Sequence, residues 1–116
     1  MKLSEQKLEH AQKLLFEIQV YFDTLSEFLT DNIKGNLLDI AKKFLKSIKA
    51  TLDKYSNTPA EKRRTLNKFK KSIRIKLLYS ESLLMALQHL CSKDYPTEKL
   101  TDFALENINK FYETIN

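Results

Sequence analysis

Residues that break helices are almost absent from this chain. Its 116 residues include one glycine and two prolines, whereas helix-forming residues such as leucine, lysine and glutamate recur throughout. Because a chain with so few turn-forming residues has few places to reverse direction, the sequence favours a few long helices over many short strands. Its length is close to the commonest size of one domain, so a single domain over residues 1–116 is predicted.

Four segments of the chain repeat apolar residues at intervals of three and four. That spacing places the apolar side chains on one face of an α-helix, so each segment is a predicted amphipathic helix with one buried face. Ser4 is the predicted N-cap of the first helix, and Pro96 is expected in the first turn of the last one. The predicted core positions are Leu8, Ala11, Leu15, Ile18, Phe22, Leu25 and Leu29 in the first segment; Leu37, Ala41, Phe44, Ile48, Leu52 and Tyr55 in the second; Leu66, Phe69, Ile73, Leu77, Leu84, Leu87 and Cys91 in the third; and Leu100, Phe103 or Ala104, Ile108, Phe111 and Ile115 in the fourth.

Local residue types predict where the second and third helices begin. Gly35 is expected to end the first turn in a left-handed conformation, and Asn36 is expected to cap the second helix. Thr58, Pro59 and Glu61 have the spacing of a capping box with proline at the first helical position. The third helix is therefore predicted to start directly after Thr58.

Four amphipathic helices joined by short turns predict an all-α fold, an antiparallel four-helix bundle. The third segment, from Thr58 to Cys91, is either one long helix or two helices that meet near Tyr79. In an up-down bundle, helices adjacent in sequence are adjacent in space. The second and third helices are then expected to form one edge, and the first and fourth the other.

The net charges of the four segments divide the helices into the same two pairs. Residues 36–55 and 58–91 carry net charges of +3 and +6, whereas residues 4–30 and 96–115 carry −3 and −2. The predicted bundle therefore has a basic edge and an acidic edge, an arrangement that orients a charged partner.

The densest charge lies in residues 62–76, which hold eight bases and no acid. One interpretation is a surface for an anionic partner, either nucleic-acid phosphates or the negatively charged cytoplasmic leaflet of a membrane. The other is a solvated face that the acidic helices balance. Nucleic acid is the less favoured partner, because no helix-turn-helix or RNA-binding signature is present. The single aromatic residue within residues 62–76, Phe69, is in core phase. The candidate basic surface comprises Arg63, Arg64, Lys68, Lys70, Lys71 and Arg74.

The end of the same segment is apolar on nearly every side. The candidate partner groove comprises Leu83, Met85, Leu87 and Leu90. These side chains cannot all face one core if the helix lies on the outside of a bundle. Either neighbouring helices cover both sides of it, or part of it forms an exposed groove for a partner helix or a second copy of the chain.

The sequence contains no pattern typical of catalysis, cofactor binding or metal binding. His10 and His89 have no nucleophile or carboxylate at a spacing that indicates a catalytic or zinc site, and Cys91 is in core phase with Leu84. One glycine is too few for a glycine-rich phosphate loop. We therefore expect a protein that is not an enzyme and has no cofactor.

The remaining features indicate a cytoplasmic protein. A single cysteine excludes an internal disulfide, and the N-terminal residues lack the apolar region of a signal peptide. The longest apolar run, from Leu83 to Leu87, is far shorter than the roughly 20 residues that span a bilayer. The protein is expected not to span a membrane, although contact with a membrane surface stays open.

Residues 37–92 resemble a known family. The pattern LLDIAKKFLKSIKATLDKYSNTPAEKRRTLNKF, a lysine-rich amphipathic helix followed by a Thr-Pro turn and another basic helix, is similar to the immunity proteins of pediocin-like (class IIa) bacteriocins. The following SIRIKLLYSESLLMALQHL looks like the third-helix region of that family and the entry to its fourth helix.

The resemblance implies a function without catalysis. Such proteins are small, basic, cytoplasmic four-helix bundles that protect a producing bacterium from its own bacteriocin. The resemblance implies stoichiometric binding at the cytoplasmic side of a membrane receptor complex, with specificity in the C-terminal half, here roughly from Leu77 onward. It assigns no role to an individual residue, and the oligomeric state stays open.

Overall fold

The computed structural model describes residues 3–91 and 94–116, and within them it contains four α-helices and no strand. Helix α1 spans Glu5–Phe28, α2 spans Asn32–Asn57, α3 spans Leu66–Leu90 and α4 spans Tyr95–Ile115, with a short 3-10 turn at Ala60–Lys62. The prediction of an all-α fold is confirmed. Helix α3 runs through Tyr79 without interruption, so this segment contains one long helix rather than two.

The helices form a four-membered ring in which each helix packs against two neighbours, and the backbones of diagonal helices do not approach each other within the described residues. Helix α1 packs most extensively against α4, and α2 against α3, whereas the α1–α2 and α3–α4 seams are looser. Antiparallel packing is visible in successive contacts. Along α1, Glu17 and then Tyr21 meet Asn107 and then Phe103 of α4. Along α2, Phe44 and then Tyr55 meet Tyr79 and then Phe69 of α3. The predicted antiparallel four-helix bundle is therefore confirmed, with its basic pair and its acidic pair each packed together.

The buried positions follow the predicted helical periodicity, and in α2 two of them are shifted by one residue from the predicted positions. All the positions predicted for α1 and α3 are buried, and so is Ser80, whose hydroxyl has no hydrogen-bond partner. In α2 the buried positions include Leu38 and Leu45, whereas Leu37 and Phe44 are only half-buried. Instead of entering the core, Phe44 packs against Tyr79 of α3, with ring centroids 5.4 Å apart. In α4, Ala104 is buried and Phe103 is 42% exposed.

The predicted start of α2 is wrong. Asp31, rather than Asn36, is the N-cap, and its Oδ1 accepts a hydrogen bond of 2.9 Å from the Lys34 N–H. Gly35 lies inside the helix and has no positive φ, so it does not act as a left-handed cap. A Cβ at Gly35 would lie 3.3 Å from the Leu29 carbonyl oxygen, so this glycine instead permits a close approach of the backbone.

The predicted capping box is also wrong. Thr58 is the C-cap of α2, and its Oγ1 donates a hydrogen bond of 2.7 Å to the Lys54 carbonyl oxygen. Thr65 is the N-cap of α3, accepting from the Lys68 N–H at 3.5 Å. The chain uses the residues between Thr58 and Thr65 to cross from α2 to α3, and the side chain of Arg63 holds that crossing against the end of α2.

Candidate binding surfaces on helix α3

Arg63 was predicted to belong to the candidate basic surface, but its side chain lies elsewhere. Its side chain is only 8% exposed. Its Nε donates to the carbonyl oxygens of Tyr55 and Thr58 at 3.1 and 2.9 Å, and its NH2 group donates to that of Ser56 at 2.9 Å. Its NH1 group forms an ion pair with Glu5, and the guanidinium lies over the Tyr55 ring, 5.5 Å from the centroid. Arg63 therefore joins the end of α2 to the start of α1.

The other five members of the candidate basic surface form no salt bridge within the described part of the chain. Lys70 is partly buried on the α4 side of α3, whereas the other four side chains are exposed. By contrast, Lys42 and Lys49 of α2 are paired with Asp23 and Asp53 at 3.3 and 3.0 Å. The unpaired charge of the basic edge is therefore concentrated in and just before the N-terminal half of α3. The five residues are Arg64, Lys68, Lys70, Lys71 and Arg74.

The outer face of the rest of α3 is mainly apolar, with Ser82 and His89 as its exposed polar residues. We call its exposed apolar residues the outward stripe: Ile75, Leu78, Tyr79, Met85 and Leu90, which are between 44% and 59% exposed. They span about 22 Å along the helix axis. An exposed apolar row on a helix is typical of a contact surface rather than of a solvated face.

No charged side chain interrupts the outward stripe. Residues 75–90 contain only two charged residues, Lys76 and Glu81. Lys76 is directed toward α2, where its Nζ donates to Ser47 Oγ at 2.6 Å. Glu81 lies on the α4 side, close enough for its charge to raise the pKa of Tyr112. Both charges therefore flank the stripe.

The candidate partner groove is divided by the structure. Met85 and Leu90 lie on the outward stripe, whereas Leu83 is half-buried against the core and Leu87 is completely buried. Leu87 cannot line a surface groove, because it shares the core face with Leu84. Successive residues of an α-helix point about 100° apart, so an apolar cluster of this length surrounds the helix rather than lining one side.

Sequence reasoning omitted three members of the outward stripe. Ile75, Leu78 and Tyr79 precede the apolar cluster from which the groove was predicted. The signal was nevertheless present, since Ile75, Leu78 and Met85 recur three and seven residues apart and so lie on one face. That face is opposite the core positions of the same helix.

Each loose seam of the bundle contains a groove, and the two grooves differ in charge. The α1–α2 groove, of about 270 Å³, is lined by Lys42, Lys46 and Lys49 together with the carboxylates of Asp23 and Asp53. The α3–α4 groove, of about 460 Å³, is lined by three bases and by no acidic side chain. The bases of the α3–α4 groove are Lys70, Lys71 and Arg74.

Tyr112 of α4 lines the α3–α4 groove. Its hydroxyl is shielded from solvent and has no hydrogen-bond partner within the described residues. Burial raises the pKa of this phenol, the charge of Glu81 raises it further, and Arg74 lowers it. The Tyr112 hydroxyl is therefore protonated at neutral pH and is an unused donor.

The described residues contain neither a candidate metal site nor a candidate membrane span. Within residues 3–91 and 94–116, no three His, Cys, Asp or Glu side chains lie together in a way that could hold a metal ion. His89 is exposed, and Cys91 is a buried core residue as its phase predicted. Over the same residues, no helix combines the length and the apolar character needed to cross a membrane.

The chain was also compared with known proteins. No family model, no curated protein and no solved structure matches it.

Proposed function

We propose that this protein is a non-enzymatic, stoichiometric binding protein of the bacteriocin-immunity kind. In this proposal the outward stripe of α3 docks on the cytoplasmic side of a membrane receptor. The observation that carries the proposal is that the stripe is exposed, uncharged and continuous with the unpaired bases Lys68 and Lys71.

The composition of the outward stripe supports a protein partner. Aromatic residues and methionine are enriched at the centres of protein interfaces, and Tyr79 and Met85 occupy the middle of the stripe. Burial of such side chains against a partner contributes a favourable free energy of about 25 cal/mol per Å² of apolar surface removed from water. Each of them also presents its contact area without a charge that would have to be desolvated.

The unpaired bases support a partner located at a membrane. A receptor that is reached from the cytoplasm lies beside an anionic leaflet, which attracts each nearby Lys or Arg by about 1 kcal/mol. Lys68 and Lys71 are exposed one to two turns before the stripe begins. They would therefore face the leaflet while the apolar part of α3 contacts the receptor.

A nucleic-acid partner is the competing proposal, and the same unpaired bases favour it. Binding of this kind neutralises phosphates and weakens steeply with salt. Against it, only Tyr79 and His89 among the exposed residues of α3 offer a ring for base stacking, and Tyr79 packs on Phe44. The third possibility, a homodimer through the outward stripe, predicts a concentration-dependent mass in sedimentation.

The test is protection of a sensitive bacterial strain that expresses the protein, challenged with a panel of pediocin-like bacteriocins. We expect the natural sequence to protect against at least one of them and Met85→Asp to abolish that protection. Phe16→Asp is the matched control, because Phe16 is equally exposed but lies on α1. Its protection should equal that of the natural sequence.

Two results would overturn the proposal. The first is a lack of protection against the whole panel by a protein that is folded and expressed. The second is retention on DNA or RNA at physiological salt that Arg64→Glu and Arg74→Glu abolish, which would favour the nucleic-acid partner instead.

A further inference from the structure

We infer that the α3–α4 groove is a binding site for a small organic phosphate, with the phosphate held by Lys70, Lys71 and Arg74 and the apolar body resting against the Tyr112 ring. This site lies beside the outward stripe and does not depend on the proposed function.

Among the described residues, no acidic side chain lines this groove. Gln88 of α3 donates a hydrogen bond to Asp102 of α4, so the first half of α4, with its acids, lies beside the apolar half of α3. The bases Lys70 and Arg74 face the last turn of α4, which contributes Tyr112 and Ile115 to the groove.

The α1–α2 groove provides an internal comparison. It also has three bases, but Asp23 and Asp53 form ion pairs with two of them. The bundle therefore neutralises lysines where acids are within reach. In the α3–α4 groove an external anion would occupy that role.

The donors of the groove match a phosphate better than a single carboxylate. Two lysines, one arginine and one tyrosine line the same groove, and a phosphomonoester offers three acceptor oxygens and nearly two negative charges. The Tyr112 hydroxyl is shielded from solvent and has no partner within the described residues, so a rotation of its ring toward the groove would let it donate to one of these oxygens.

The sides of the groove indicate that the ligand has an apolar part. Ile73, Leu77 and Ile115 border the groove but are buried, so the apolar surface that the groove offers a ligand is the half-buried Tyr112 ring and the aliphatic stems of the bases. Inorganic phosphate would leave this surface in water, whereas an attached ring or chain would cover it. An aryl phosphate should therefore bind more tightly than inorganic phosphate.

The experiment is a titration of the ¹⁵N-labelled protein with phenyl phosphate, followed by amide chemical shifts. We expect saturable shifts centred on Ile73, Leu77 and Tyr112. Inorganic phosphate should cause the same pattern with an affinity at least several-fold weaker. Lys70→Gln and Arg74→Gln should each weaken phenyl phosphate binding by about tenfold, because each removes a charge-assisted hydrogen bond.

Lys68→Gln is the matched control, since Lys68 is an unpaired base on the same helix that does not line the groove. It should leave the affinity unchanged within about twofold. Tyr112→Phe removes only the hydroxyl and should weaken binding while the bundle stays folded. An equal effect of Lys68→Gln and Lys70→Gln, or the absence of saturable shifts, would overturn the inference.

Vesicles distinguish the two sources of such a phosphate. Phosphatidylcholine vesicles that contain phosphatidic acid should bind the protein in competition with phenyl phosphate if the ligand is a lipid headgroup. Binding of phenyl phosphate without vesicle binding would identify a soluble organic phosphate. Either result supports the site, and neither depends on whether the protein confers immunity.

Discussion

At the scale of single residues, Arg63 belongs to a basic stretch of the sequence, but its side chain stabilises the fold instead of forming part of a charged surface. It lies among eight bases in sequence, yet its guanidinium contacts three backbone carbonyl groups and a carboxylate. The last carbonyl groups of a helix have no partner within the helix. The planar fork of arginine satisfies them from one side chain, which lysine cannot do.

Arg63→Ala should lower the free energy of unfolding by about 2–3 kcal/mol, because hydrogen bonds from a charged donor contribute roughly 1.5–3 kcal/mol and the group is shielded. Arg63→Lys should restore less than half of the loss. Urea unfolding followed by circular dichroism measures both changes. The neighbouring Arg64 is exposed and unpaired, so Arg64→Ala should change stability by less than about 0.5 kcal/mol. Equal losses for the two alanine variants would contradict this role.

Tyr112 should make the stability of the protein sensitive to alkaline pH. Burial raises the pKa of its phenol above the ordinary value of 10.0, so the unfolded chain loses this proton first. The corresponding stability is fully present below pH 10.0 and is lost as the pH rises through the higher pKa of the folded state. We expect the stability of the natural protein relative to Tyr112→Phe to begin to fall near pH 10.0 and to keep falling until the pH passes the higher pKa of the folded state. Urea unfolding of both proteins at each pH measures this, and a constant difference would contradict it.

At the scale of helices, the boundaries depend on which polar side chain reaches a free N–H group. Asp31 and Asn36 are both good N-cap residues, and the sequence alone gave no reason to prefer the earlier one. Burial of Leu29 decides between them, since it brings the chain back into the core directly before Asp31. The same competition places the start of α3 at Thr65 rather than Thr58.

Replacing Asp31 by alanine should cost about 1 kcal/mol of stability, because the Lys34 N–H loses its acceptor. Asn36→Ala should have almost no effect or a small stabilising one, since Asn36 is an exposed residue inside α2. Thermal unfolding of the two variants under one buffer condition compares them. A larger loss of stability for Asn36→Ala than for Asp31→Ala would indicate that Asn36 is the N-cap, as the sequence pattern predicted.

At the scale of the whole molecule, the four helices form a body with two unlike sides. The acidic pair α1–α4 and the basic pair α2–α3 meet along two seams, and ion pairs form along only one of them within the described residues. Both sides expose apolar residues, such as Phe16 on α1 and Met85 on α3. A contact between unlike sides of two copies would not close on itself, so growth would continue without limit. A dimer that closes would instead have to pair the outward stripe with itself.

The sequence by itself determined the class of the fold, because periodicity and the scarcity of helix breakers act locally along the chain. It determined the buried face of α1 and of α3, and the separation of charge between the two helix pairs. These features follow from which side chains share a helix face.

Only the tertiary structure decided which charges are available and which apolar residues are exposed. The Arg63 guanidinium is bound to carbonyl groups at the end of α2, and the Lys76 ammonium is bound to Ser47 of α2, so neither charge is free on the surface. Leu87 is buried in the core and cannot contact a partner. Within the described part of the chain, the α3–α4 groove is lined by bases and by no acidic side chain, and this depends on which residues of two antiparallel helices lie side by side. Such pairings join residues far apart in sequence, and their geometry is fixed only when the helices pack.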